Sequence, residues 1–201
     1  MKIRNIIALT LCALFSIGQA AEAKTINKHA EAHKQQLAAA RHTGLDKSTI
    51  TRMVEEDIAA RESSRTIDHE TDILLNDLLS EAHTHIGKRY SHGSKGPNRF
   101  DCSGFSSYVY KQFGYSLSPS SRDQYTQGEK VDRKELRKGD LVFFKGRSTK
   151  GGVGHVGIVV DADEQGNFTF IHAAVSKGIT ISNCNEPYYA KRYIGSKRII
   201  E

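Results

Sequence analysis

Hydrophobic positions divide this chain of 201 residues into three stretches with different rhythms. From Ile6 to Ile17 they run almost unbroken. Between residue 24 and about residue 70 they thin out into a charged, Ala-rich segment without Phe, Tyr or Trp. Ile50, Met53, Val54 and Ile58 recur there at helical spacing, but the face they make is too narrow to build a core alone. The pattern predicts a helical spacer over residues 24–71, with docking of part of it onto the main domain as the competing reading. From Asp72 the apolar content rises. Ile73, Leu74, Leu75, Leu78 and Leu79 predict a helix capped at Thr71 or Asp72 and ended by Gly87.

Gly93, Gly96 and Pro97 make Ser91 to Asn98 a loop. A second helix is expected from Asp101 or Cys102 to about Phe113, where Gly114 stops it, and a short third one from about Ser118 to Gln127. After Gly139 the period changes. Leu141–Phe144, His155–Val160, Asn167–His172, Gly178–Ser182 and Ile194–Ile200 are short, β-rich runs separated by Gly, Asp or Asn. Helices followed by strands, without βαβ alternation, predict an α+β domain over residues 72–201, its N-terminal helices packed on an antiparallel sheet of about five or six strands.

The first apolar run changes the setting. Lys2 and Arg4 precede it and Ala21-Glu22-Ala23 follows as an A-x-A cleavage site, so Met1–Ala23 reads as a secretory signal peptide. The run is about a dozen residues, short of the roughly 20 that a transmembrane helix needs, which disfavours an uncleaved anchor. A lipoprotein cleavage at Cys12 is rejected, because Leu11 stands where a small residue is wanted. The expectation is therefore an exported protein, periplasmic or extracellular, with no transmembrane helix after cleavage. The 29 basic and 23 acidic residues give +6, a balance that suits an anionic envelope. The basic residues are scattered and no nucleic-acid motif accompanies them, so a nucleic-acid partner is not expected.

Past the leader only Cys102 and Cys184 remain. In an oxidising compartment a disulfide between them is the plain structural reading. A metal site is not expected, since neither C-x-x-C nor H-x-x-x-H spacing is present, and no cofactor is implied. A thiol kept free outside the cell usually has chemistry to do. Cys102 follows a loop and Asp101, and Phe105, Val109 and Phe113 repeat every four residues behind it. The thiol is thus placed at a helix start, where free N–H groups and the dipole lower a thiol's pKa and Asp101 partly opposes them. Gly104 leaves room for a close approach of another chain segment or a substrate.

A base must meet this thiol. Four of the nine histidines (His29, His33, His42, His69) lie in the spacer, and His83, His85 and His92 lie around the first helix and its loop. His155 opens the run HVGIVV and His172 closes NFTFIH, with a turn between them. A hairpin symmetric about that turn puts the two imidazoles opposite each other on one sheet face. A two-residue shift keeps them on that face as a diagonal pair, and a one-residue shift separates them. One imidazole can then take the thiol proton while the other holds it in orientation.

The strings FDCSGF, GDLVFF, GHVGIVV and FIHA, in this order and spacing, resemble the NlpC-type cell-wall endopeptidases with a papain-like core. The resemblance covers about residues 74–200. It implies Cys102 as nucleophile, His155 as general base and His172 as the polar residue that orients the base. It also implies Tyr90 near the oxyanion site, with Asp101 and Ser103 lining the substrate cleft. The implied substrate is the peptide stem of peptidoglycan, cut between D-glutamate, through its γ-carboxyl, and a diamino acid such as meso-diaminopimelate. The protein is expected to act as a monomer. Wall-binding repeats or SH3-like modules, common before such cores, are not found in the spacer. Cys184 has no motif partner and reads as a small buried hydrophobe. Rival readings are another acyl transfer on the same core (a muramoyl-alanine amidase or a lipid acyltransferase), an inactive wall-binding protein, and an effector against a competitor's wall.

Overall fold

The structure is a computed structural model that describes residues 46–146 and 151–201. The expected leader and the first half of the spacer lie outside the described residues. The first described element is one long helix, α1 (Lys47–Thr84). Asp46 caps it, its Oδ1 accepting from the N–H groups of Ser48 (2.9 Å) and Thr49 (3.0 Å). No Gly or Pro interrupts this segment, so the start expected at Thr71 or Asp72 is absent and the helix runs through. Two compact units divide within it, between Ser64 and Arg65. The second unit, Arg65–Glu201, holds the sheet. Leu75, Leu78, Leu79 and Ala82 are buried in its core.

The remaining elements are α2 (Cys102–Gln112), α3 (Ser121–Gln124), β1 (Glu129–Val131), a 3-10 turn at Arg133–Glu135, β2 (Leu141–Lys145), β3 (Val153–Ala162), β4 (Phe168–Ala174), β5 (Gly178–Asn183), α4 (Pro187–Ala190) and β6 (Tyr193–Arg198). The strands form one antiparallel sheet in the order β1-β6-β2-β3-β4-β5. The α+β architecture is as expected. The sixth strand is the three-residue β1, whose Glu-Lys-Val has too few apolar positions to register as a strand.

Both sheet faces are covered, which explains why Leu141-Val142-Phe143-Phe144 are all buried instead of alternating. Leu141 and Phe143 join Phe105, Val109, Val156, Ile158, Ile171 and Ala173 in a core with α1 and α2. Val142 and Phe144 face the other way, into a cluster with Val159, Phe168, Phe170, Cys184 and Tyr189.

Candidate active site

Cys102 is the first residue of α2. Asp101 caps that helix by accepting from the Gly104 N–H (2.6 Å), and its other oxygen accepts from the Gly93 N–H (2.8 Å). One carboxylate thus ties the Ser91–Asn98 loop to the helix start. The close approach anticipated at Gly104 is made by the chain itself: a Cβ there would meet the Ser94 carbonyl oxygen at 2.3 Å. Ser103 is buried, and its hydroxyl donates to the Pro119 carbonyl (3.0 Å).

The thiol is half-buried and free, and it packs against the helix-side core together with Tyr90. The N–H of Val156, the residue after His155, favours the thiolate, as do the N–H groups of Ser103 and Cys102. The lowered thiol pKa expected at a helix start is not found. Burial pushes it up and the Asp101 charge adds to the rise, and together they outweigh the three N–H groups. Tyr90 is also raised, by burial and then by the charges of Cys102 and Asp101.

The histidine pair sits on one sheet face. His155 Nε2 and His172 Nδ1 are 2.9 Å apart, with the rings edge to face at 4.9 Å. The pairing is diagonal. Ile158 stands opposite Ile171 and Val159 opposite Phe170, a register two residues from the symmetric hairpin. Gly157 makes the diagonal contact fit, since a Cβ there would lie 2.5 Å from the Phe170 ring and 3.2 Å from the His172 Cβ. A glycine inside a strand is the sequence signal of such close packing. Burial holds His155 down to about 4. His172 is lowered as well, by burial first and then by the charges of His155 and Lys177.

His155 Nε2 is taken by His172, so Nδ1 is its remaining ring nitrogen. Among the described residues no hydrogen bond joins thiol and imidazole directly. His172 Nε2 lies 3.2 Å from the Tyr189 hydroxyl, a contact without any motif to announce it. Of the residues singled out from sequence, Cys102 neighbours Tyr90 and His155 neighbours His172, and the Val156 backbone next to His155 adjoins the thiol. Ser103 instead points into the packing, and Asp101 borders the thiol while holding the loop. Cys184 is free and buried on the far face of the sheet, its sulfur accepting from the Phe168 N–H (3.1 Å), so the Cys102–Cys184 disulfide is not formed. No group of residues suited to a metal ion occurs among the described residues.

The NlpC/P60 family pattern matches residues 87–198. Over 115 residues the chain is 42% identical to the murein DD-endopeptidase MepS/murein LD-carboxypeptidase of Escherichia coli, covering 57% of each chain. Over 122 residues it is 38% identical to a probable endopeptidase p60 of Listeria grayi, covering 61% of this chain and 22% of that protein. The chain therefore spans little more than half, or far less, of the curated relatives it matches. Among solved structures, an NlpC/P60 family protein from Bacillus cereus is 32% identical with a TM-score of 0.56, over 63% of this chain and 40% of that one. The peptidoglycan hydrolase RipB of Mycobacterium tuberculosis is 25% identical with a TM-score of 0.52, over 66% of this chain and 68% of that one. Such neighbours carry the expected papain-like core.

Proposed function

The chain belongs to the NlpC/P60 family, and from that membership and the site geometry we propose that it is a cysteine endopeptidase acting on peptidoglycan stem peptides. The observation that carries the reading is the His155–His172 contact at 2.9 Å beside a free Cys102 at a helix start.

In this reading the resting pair is a neutral thiol and a neutral imidazole, because burial raises one pKa and lowers the other. As Sγ attacks the substrate carbonyl, its proton passes to His155 Nδ1 and an S–C bond forms. The oxyanion is met by the N–H groups at the helix start and by the Tyr90 hydroxyl. His155 returns the proton to the leaving amine as the C–N bond breaks. Water, losing a proton to His155, then releases the acid and restores the thiol. Asp101 and Ser103 serve as supports of the loop and helix that present Cys102. The protein works outside the cytoplasm as a monomer. Among the described residues no helix is long and apolar enough to cross a membrane.

The bond we propose is the one between γ-D-glutamate and the diamino acid. The E. coli relative, named for DD-endopeptidase and LD-carboxypeptidase activities, supports a second reading in which a cross-link or a terminal residue is cut. Incubating the purified protein with defined cross-linked and free muropeptides, beside Cys102→Ala, and weighing the products separates these. Fragments ending in D-glutamate are expected, and none with the variant. Products from the variant equal to those of the native protein would falsify the nucleophile assignment.

A further inference from the structure

His155 and His172 share a single proton between Nε2 and Nδ1, and its position decides whether His155 can act as a base. If His172 holds it, neutral His155 must keep its own proton on Nδ1, its remaining ring nitrogen, and cannot accept another. If His155 holds it, Nδ1 is bare, and the one proton of neutral His172 must sit on Nε2. That nitrogen lies 3.2 Å from the Tyr189 hydroxyl. The same arrangement serves the protonated His155 formed during the reaction, because its Nε2–H then needs His172 Nδ1 as acceptor.

We propose that Tyr189 is a positioning residue of the Cys102 reaction, acting through His172 by accepting its Nε2 proton and so leaving His155 Nδ1 bare. The inference rests on the catalytic reading above. Accepting at Oη requires the phenol's own proton to point elsewhere, and the buried Ser182 hydroxyl beside Tyr189 is the group we assign to take it. The ring cannot swing away. Tyr189 is 8% exposed and stands edge-on to Phe170 at 4.9 Å and to Phe144 at 5.3 Å. Its own N–H is bonded to the Glu186 carbonyl (2.9 Å). The proposed site is therefore a row of four groups, Cys102, His155, His172 and Tyr189, with Ser182 beside the last of them.

The test uses the full chain labelled with nitrogen-15, read by proton–nitrogen correlation of the imidazoles at neutral pH. The native protein is expected to carry its protons on Nε2 of both His155 and His172. Tyr189→Phe keeps the ring and removes the acceptor. The His172 proton should then move to Nδ1, and kcat on muropeptides should fall about ten- to a hundredfold with KM within about twofold. Ser182→Ala, which frees the phenol to donate into Nε2, should move the same resonances in the same direction, and it decides the matter should the Phe variant fail to fold. A native spectrum with His172 protonated on Nδ1 overturns the proposal, as does Tyr189→Phe with native resonances and native kcat. A native protein that cuts no muropeptide overturns the hydrolase reading instead, and the spectra still decide the tautomer.

Discussion

Burial acts on Cys102 and His155 with opposite signs and one result. It raises the thiol and brings the imidazole to about 4, so both groups are uncharged near neutral pH. Protonated His155 cannot take the thiol proton. The acid limb of kcat/KM should therefore lie near pH 4, well below the ordinary histidine range, and a pH–rate profile on a muropeptide checks this. Gly157 carries a second expectation. In Gly157→Ala the new methyl meets Phe170 and His172, so stability should fall by about 1–3 kcal/mol in denaturant titration and kcat should fall with it. At this scale the sequence was partly legible. The Asp101–Cys102 helix start follows from local capping chemistry, and the shared face of His155 and His172 follows from strand period. The two-residue register depends on Gly157 packing and on a bulge between Val159 and Asp161, which turn composition does not encode. Tyr189 was invisible, because only the fold brings α4 against β4.

Elements around the thiol are joined by buried polar contacts as well as by apolar ones. Gln124 on α3 is fully buried, donates to the carbonyls of Ser103 (3.0 Å) and Ser118 (2.8 Å), and accepts from the Ser106 hydroxyl (2.8 Å). Those partners lie on α2 or just beyond it, so α3 clamps the helix that presents Cys102. Gln124→Ala removes these contacts, although each partner keeps another, and should cost about 1–3 kcal/mol, measurable as a lower urea midpoint with an unchanged slope. Element boundaries were legible where Gly or a cap marks them, as at Gly114. They were not legible within α1, where Thr71 and Asp72 are good capping residues in a helix that has no need to stop.

For the molecule as a whole, the histidine pair makes folding pH-dependent. In the unfolded chain these imidazoles take up protons near the ordinary value of 6.5, but in the folded chain only far lower, near 4 for His155. The stabilising effect of burying them neutral is complete above about pH 6.5 and is lost as pH falls towards 4, by up to about 1.4 kcal/mol per pH unit for each histidine. Thermal midpoints should fall over this interval, and His155→Gln should flatten the slope. The sheet also separates the two thiols, with Cys102 on the helix side and Cys184 in the cluster beneath. Peroxide that converts Cys102 to a sulfenic acid therefore meets no resolving thiol among the described residues, and the next step on the ladder is the irreversible sulfinic acid. Mass spectra of peroxide-treated protein should show oxygen added at Cys102 and no internal disulfide. The architecture that holds Cys102 apart from Cys184 leaves repair of its sulfenic acid to thiols other than Cys184.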